Sequence, residues 1–166
     1  MAGRQPDVDA GSLDDVLKRP SGAFVTLSSR TGDLRGCIGT IEPVAPLWEA
    51  VRDNALNAAF RDPRFPPLAP VELPELELEI SVMGPVEPVT DVEEIEVGRD
   101  GLIIRYAGNA GLLLPQVAVE WGWDRQEFLR HTCRKAGLPM EAWRDPRCRI
   151  EKFSAEVFGE QTSHSI

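Results

Sequence analysis

The residues best suited to chemistry lie in one heptapeptide, Leu34–Thr40, with the sequence LRGCIGT. It places a guanidinium, a thiol and a hydroxyl within seven residues. Arg35 can present a planar fork of donors to a carboxylate or phosphate. Gly36 and Gly39 flank Cys37, and they let the backbone approach another group closely or adopt a positive φ. The heptapeptide therefore fits two interpretations, a ligand-binding site or a strand with a closely packed corner.

Cys37 is the candidate nucleophile. A catalytic thiol needs a lowered pKa, which a neighbouring cation, a base or a helix N-terminus can supply. Arg35 is two residues away and would lie on the same face of a strand. The two histidines do not supply an obvious base, because His131 falls in a predicted helix and His164 in the terminal tail. The alternative is that Cys37 is a small buried hydrophobic residue beside two glycines.

Polar residues elsewhere supply further candidates for binding. Arg64 fits either a ligand contact or an ion pair with Asp62 that fixes a proline-rich loop. Asn54 fits a hydrogen bond to the heptapeptide or to a buried backbone group. Glu79 fits a solvated strand face, or a general base covered by the heptapeptide. Gln116 follows a proline at the start of a predicted helix, where free backbone N–H groups can hold an anion.

The elements that must position these residues alternate between strands and helices. The apolar run before the heptapeptide, residues 22–27, predicts a strand, and the two segments together predict a hairpin. Residues 47–60 have apolar side chains at helical spacing. Residues 76–82 alternate apolar and polar side chains, which is typical of a half-buried antiparallel strand. We therefore predict the α+β class, a largely antiparallel sheet flanked by helices.

The second half of the chain predicts further elements of both kinds. These are a hairpin of strands 102–106 and 112–114 around a turn at 108–111, helices at 116–121 and 124–136, and closing strands at 149–153 and 155–158.

The heptapeptide also matches the signature of a known family. Five more blocks match that family in its order, namely residues 62–68, 78–82, 98–102, 114–117 and 135–139. On these motifs the chain resembles the AMMECR domain family, also called AmmeMemoRadiSam system protein A, over roughly residues 22–158. The resemblance implies an α+β body with a smaller subdomain, and it supplies no reaction.

The resemblance also implies a domain organisation and a pathway. We expect a leader and short helix over residues 1–21, a single AMMECR-type domain over residues 22–160, with or without a small subdomain, and a tail over residues 161–166. The system name couples such domains to a Memo-type protein, which resembles metal-dependent extradiol dioxygenases, and to a radical-SAM protein. The implied partners are therefore Memo-type and radical-SAM pathway proteins.

The charge of the chain argues against general nucleic-acid binding. Eighteen basic and 27 acidic side chains give a net charge of −9, whereas nucleic-acid binding requires a basic surface. The charge is also unevenly spread: residues 30–64 hold five acids and five basic residues, and residues 72–100 hold ten acids and one basic residue. The heptapeptide thus lies in a stretch without net charge, where an anion is better tolerated than in residues 72–100.

The cysteines and the apolar runs bear on cofactors and location. Cys37, Cys133 and Cys148 form no Cys-x-x-Cys pair, and no His–Cys spacing suits zinc. We therefore expect no metal and no cofactor. The polar N-terminus resembles no signal peptide, and no apolar run approaches the ~20 residues of a membrane span. These features predict a cytoplasmic protein with reduced thiols and no membrane association.

Together these observations predict an accessory or binding module with a cleft around Leu34–Thr40, which takes a small anionic ligand or a partner protein. The alternative is an enzyme that uses Cys37 as a thiol nucleophile, and the sequence leaves open whether the protein is an enzyme. The residues expected to line or border the cleft, besides Cys37, are Arg35, Gly36, Gly39, Thr40, Asn54, Arg64, Glu79 and Gln116.

Overall fold

The computed structural model of the protein describes residues 6–160, so the predicted tail, residues 161–166, lies outside the described part. The strands are β1 (Ala23–Ser29), β2 (Leu34–Thr40), β3 (Leu76–Pro88), β4 (Asp100–Tyr106), β5 (Asn109–Leu113) and β6 (Arg149–Gly159). The helices are α1 (Asp15–Lys18), α2 (Leu47–Phe60), α3 (Pro115–Trp121) and α4 (Arg125–Lys135). Short 3-10 turns occupy Ala10–Ser12, Pro70–Glu75, Val92–Glu94 and Ala142–Arg144.

The strands form one sheet in the order β2-β1-β3-β6-β4-β5. The pairs β1–β2, β1–β3, β4–β5 and β4–β6 are antiparallel, and the predicted α+β class is confirmed. Backbone contacts divide the described chain into a first unit, residues 6–82 with 157–160, and a second unit, residues 83–156. None of the helices within residues 6–160 is long and apolar enough to cross a membrane.

The first unit packs α2 on one face of the β1–β2 hairpin. The helix begins after Pro46 and ends before Asp62-Pro63, because the residue before a proline disfavours the helical conformation. Its buried residues recur every three or four positions and are Leu47, Ala50, Asn54 and Ala58. They meet alternate residues of β1, which are Ala23, Val25 and Leu27. The predicted helix is present with the predicted bounds, and the predicted hairpin is present with a first strand over residues 23–29 instead of 22–27.

The second unit has its core between β4 and the helices α3 and α4. Leu102 and Ile104 on β4 pack against Phe128 and Leu129 on α4, and all four are fully buried. Each such side chain contributes about 1.5–3 kcal/mol when it leaves water. Asp124 caps α4, since its side chain accepts a hydrogen bond from the Glu127 backbone N–H.

Three predicted elements differ from the structure. The strand predicted over residues 76–82 continues to Pro88. The turn between β4 and β5 consists of Ala107 and Gly108, which both have a positive φ, rather than residues 108–111. Gly111 is instead a residue of β5. A glycine is needed there because a Cβ would overlap the Ala136 backbone. The two predicted closing strands are one continuous strand, β6.

Candidate functional site

The heptapeptide forms β2, at one edge of the sheet, where its cross-strand partners lie on β1. Gly36 pairs with Leu27 and Cys37 pairs with Thr26, so Gly36 and Cys37 lie on opposite faces of the sheet. Gly36 lies on the face covered by α2, and a Cβ there would overlap the carbonyl oxygen of Ala58. Of the two roles considered for this glycine, the structure shows the close approach of two backbones. The other role is absent because the φ of Gly36 is not positive.

Gly39 serves a similar purpose on the other face. It pairs with Phe24 on β1, and a Cβ at Gly39 would overlap the Phe24 ring. Each glycine of the heptapeptide therefore has a packing role that is independent of any ligand.

Asn54 connects α2 to both strands of the hairpin. It is buried, and its Nδ2 donates to the Ala23 carbonyl oxygen at 3.1 Å and to Thr40 Oγ1 at 3.3 Å. It thus makes both contacts considered from the sequence, one to a buried backbone group and one to the heptapeptide. Thr40 and Asn54 fix the end of β2 against the helix.

Asp62 connects the loop after α2 to the free edge of β2. Its side chain is 1% exposed. Oδ2 accepts hydrogen bonds from the Cys37 backbone N–H at 3.0 Å and from Arg64 Nη2 at 2.7 Å. Oδ1 accepts from the Arg64 backbone N–H at 3.1 Å and from Arg64 Nε at 3.0 Å. The guanidinium of Arg64 holds the pKa of Asp62 well below its usual range, although burial of the carboxyl opposes this effect.

In the same loop Arg64 is exposed and Phe65 is half-buried. The Arg64 side chain is 49% exposed, although Asp62 holds its Nε and Nη2. Nη2 also lies 3.4 Å from the Cys37 carbonyl oxygen, so both backbone polar groups of Cys37 have partners in this loop. The Phe65 ring has the guanidiniums of Arg64 and Arg35 at 5.5 and 5.8 Å from its centre, within the range of cation–π attraction.

Arg35 is held by a carboxylate of the chain itself. Its Nε donates to Glu72 Oε1 at 2.7 Å and its Nη2 to Glu72 Oε2 at 3.1 Å, a bidentate pair. Nη2 also donates to the Pro66 carbonyl oxygen at 2.9 Å. The hydrogen bond to Arg35 lowers the pKa of Glu72. Nη1 is buried and has no hydrogen-bond partner among residues 6–160.

Cys37, Thr26 and Glu79 form a row across three adjacent strands. Thr26 pairs with Cys37 on β2 and with Glu79 on β3, so the three side chains lie on the same face. Thr26 Oγ1 lies 3.3 Å from Cys37 Sγ, and the thiol is half-buried. Sequence reasoning missed Thr26, although the alternation of apolar and polar residues in β1 would have placed it on the face of Cys37. Cys37 is therefore neither fully buried nor freely exposed.

Gln116 and His131 belong to the second unit. Gln116 lies in the first turn of α3, and its Oε1 is buried without a hydrogen-bond partner among the described residues. His131 on α4 stacks on the Trp123 ring at a centre-to-centre distance of 3.9 Å. The other predicted binding residues, Arg35, Gly36, Gly39, Thr40, Asn54, Arg64 and Glu79, lie in the first unit.

The donors needed for a metal centre are not grouped in the described chain. Within residues 6–160 no three side chains of the types His, Cys, Asp and Glu come close enough to hold an ion. His164 lies outside that range.

The first unit also contains an apolar cavity of about 530 Å³. Its lining includes Trp48 and Val51 of α2, Ile80 and Val82 of β3, and Phe158 of β6. Ile80 pairs with Val25, so it faces α2 and lies on the opposite face of the sheet from Cys37. The cavity is therefore separate from the row that contains the thiol.

Known proteins have similar sequences and a similar fold. A family model for AMMECR1 matches residues 2–158. A protein of Methanothermobacter thermautotrophicus is 49% identical over 164 residues, which cover 95% of this chain and 82% of that protein. Protein NEQ441 of Nanoarchaeum equitans is 42% identical over 154 residues, which cover 89% of this chain and 86% of that protein.

A solved structure agrees with the sequence comparison. The crystal structure of the uncharacterized protein PH0010 from Pyrococcus horikoshii superimposes with a TM-score of 0.87 at 43% identity, covering 95% of this chain and 80% of that one. The matched residues contain the whole heptapeptide and the loop that holds it. The chain therefore belongs to the AMMECR1 family.

Proposed function

We propose that the protein is a binding module whose contact surface consists of Cys37, Arg64 and Phe65, here called the β2 surface, with the buried Asp62 carboxylate behind it. The group that it binds is a carboxylate or a phosphate, carried by a small molecule or by a partner protein. One observation carries this proposal: Arg64 is half exposed, yet its guanidinium is already fixed by the buried carboxylate of Asp62.

Fixing the guanidinium in advance lowers the cost of binding. An arginine that must be immobilised by its ligand loses about 0.5–1.5 kcal/mol of side-chain freedom, and Arg64 has lost that freedom before the ligand arrives. The Phe65 ring adds an apolar contact beside it, at 5.5 Å from the guanidinium. Asp62 also offsets the charge of Arg64, so binding depends on directed hydrogen bonds more than on long-range attraction.

The test is an amide NMR titration of the full chain with citrate and with inorganic phosphate. We expect shifts of the Cys37 and Arg64 amides, because both N–H groups donate to Asp62. Arg64→Gln should weaken binding by about tenfold, the loss of one charge-assisted contact at a partly exposed position. Arg61→Gln is the matched control, because Arg61 is exposed and lies three residues earlier in the same loop. Equal affinities of the two variants would remove the proposal.

The partner form of the proposal places the module in a pathway with Memo-type and radical-SAM proteins. The support is the family to which the chain belongs, together with an exposed surface that offers a fixed cation beside an aromatic ring. Sedimentation of this protein mixed with a purified Memo-type or radical-SAM protein should show a complex. Arg64→Gln should weaken that complex, and Arg61→Gln should not. A complex equally stable with both variants would place the contact elsewhere.

A cytoplasmic location fits the three free cysteines of the described chain.

A second candidate function, a thiol enzyme, is favoured by one contact. Cys37 Sγ lies 3.3 Å from Thr26 Oγ1, the residue is half-buried, and its backbone carbonyl oxygen accepts a hydrogen bond from Arg64 Nη2 at 3.4 Å. A reactive thiolate would label with iodoacetamide well below the ordinary thiol pKa of about 8.5. Burial raises the pKa of the thiols of Cys133 and Cys148, so these two should label little at such a pH. The labelling that is lost in Cys37→Ser is then the labelling of Cys37. Labelling of Cys37 only above that pH would rule out this candidate.

A further inference from the structure

The first half of β3 is an interior part of the sheet whose inward face is incompletely covered. β3 lies between β1 and β6. Ile80 and Val82 pair with Val25 and Ala23 of β1, so all four side chains lie on the face that α2 covers. Ala23 and Val25 are fully buried there, whereas Ile80 and Val82 are only half-buried. Two apolar side chains of an interior strand therefore lack a complete cover within residues 6–160.

The apolar cavity of about 530 Å³ lies over these two side chains. Its other walls come from α2, from α1 and the segment before it, and from β6 in the first unit. The backbone N–H of Leu47 donates to the Arg19 carbonyl oxygen at 2.9 Å, which ties the segment after α1 to the start of α2. The volume is within the range of small-molecule sites. Walls from several elements fit a small molecule better than a partner helix, which needs a long groove.

Arg52 gives the cavity one charged group. Among the described residues that line it, Arg52 alone is charged and the others are apolar. Its guanidinium lies 5.0 Å from the centre of the Trp48 ring, within the range of cation–π attraction. Its Nε donates to Asp53 Oδ1 at 2.9 Å. That bond uses one of five N–H donors, so the pair orients the guanidinium without exhausting it.

We propose that this cavity binds a soluble carboxylic acid with a long acyl chain, the chain lying on Ile80 and Val82 and the carboxylate at Arg52. The acyl chain would supply the apolar cover that β3 lacks, and the carboxylate matches the donor geometry of a guanidinium. The cavity lies on the opposite face of the sheet from Cys37. The inference therefore goes beyond the proposed function and does not depend on the β2 surface.

Fluorescence titration of the full chain with octanoate and decanoate, each below its micelle-forming concentration, tests the proposal. Trp48 lines the cavity and is the one tryptophan of the first unit, so a change in its emission reports on this site. Decanoate should bind about ten- to twentyfold more tightly than octanoate, because two further methylenes leave water. Equal affinities for the two acids would overturn the proposal, since the chain would then not be buried.

Substitution of Arg52 tests the position of the carboxylate. Arg52→Gln should weaken decanoate binding by about five- to tenfold, as expected for loss of a partly exposed charge contact, and should leave the binding of uncharged decanol unchanged. Arg61→Gln is the matched control, because Arg61 is exposed at the end of the same helix. Equal decanoate affinities of the two variants would overturn the proposal.

Substitution of Val51 tests the position of the chain. Val51→Phe fills the cavity and should weaken decanoate binding by more than tenfold, whereas Val44→Phe, at a position 83% exposed, should not. A melting curve shows whether Val51→Phe is folded, and the Arg52 variants decide the matter if it is not. Two other occupants would overturn the proposal: a lipid surface, shown by binding to vesicles without a response to decanoate, and a second copy, shown by a dimer that Val51→Phe dissociates and decanoate does not.

Discussion

Replacing Asp62 with asparagine should destabilise the first unit by about 2–4 kcal/mol. The substitution keeps the shape of the side chain but leaves one acceptor oxygen instead of two. The hydrogen bonds at the other oxygen are then lost, either those from the Cys37 N–H and Arg64 Nη2 or those from the Arg64 N–H and Nε. Because Arg64 is 49% exposed, water resolvates its charge, and the loss stays below the full cost of breaking a buried pair.

The depressed pKa of Asp62 predicts how this loss depends on pH. In the unfolded chain the carboxyl titrates near 3.9, and in the folded protein it titrates lower. The stability that it contributes is therefore fully present above about pH 5 and is lost as the pH falls below about 4. The asparagine variant binds no proton at this position. The difference in stability between the two proteins should be constant near neutral pH and should shrink in acid.

Urea unfolding followed by the fluorescence of Trp48 measures this difference. Trp48 is the one tryptophan of the first unit, since the other three lie at positions 121, 123 and 143. Asp53→Asn is the matched control, because Asp53 is 51% exposed and its pair with Arg52 is worth about 1 kcal/mol or less. A loss for Asp62→Asn no larger than that of the control, with the same value in acid, would refute the assignment of Asp62 as the residue that holds β2 to the loop.

Four further substitutions test other contacts of the site. Gly36→Ala should cost about 1–3 kcal/mol and lower the melting temperature, because its Cβ meets the rigid backbone of Ala58; Gly39→Ala should cost less, since its Cβ meets an aromatic ring that can shift. Arg35→Lys should lose about 1–2 kcal/mol in urea unfolding because an ammonium cannot keep both bonds of the bidentate pair; an unchanged stability would mean that the fork geometry has no structural role. Asn54→Ala should cost about 1–3 kcal/mol, because a buried strand carbonyl loses its donor, and a neutral result would require another donor to replace it.

The local elements could be predicted from the sequence where one periodicity dominates. The helix over Leu47–Phe60 and the hairpin with the heptapeptide as its second strand appear in the structure as predicted. In both cases nearby residues specify the element, through apolar spacing and through prolines that prevent the helix from extending. The family followed from the heptapeptide together with five motif blocks that lie outside these two elements, and the class followed from the mixture of strand and helix patterns along the chain.

The β4–β5 hairpin shows where local reasoning fails. Gly108 and Gly111 both resemble turn residues, and the sequence alone does not distinguish them. Only Gly108 has a positive φ, whereas Gly111 is a glycine because the backbone of Ala136 on α4 lies against it. A close approach between segments distant in sequence has no local signal.

The amino-acid sequence thus determined which side chains were available, and the tertiary structure decided which charges they meet. Asp62 was a visible partner for Arg64, two residues away, but Glu72 is 37 positions from Arg35, and only the fold brings it into a bidentate pair. The direct pairing of Arg105 with Arg149 likewise depends on the register between β4 and β6. Ion pairs act over a few ångströms, and chain separation does not predict such distances.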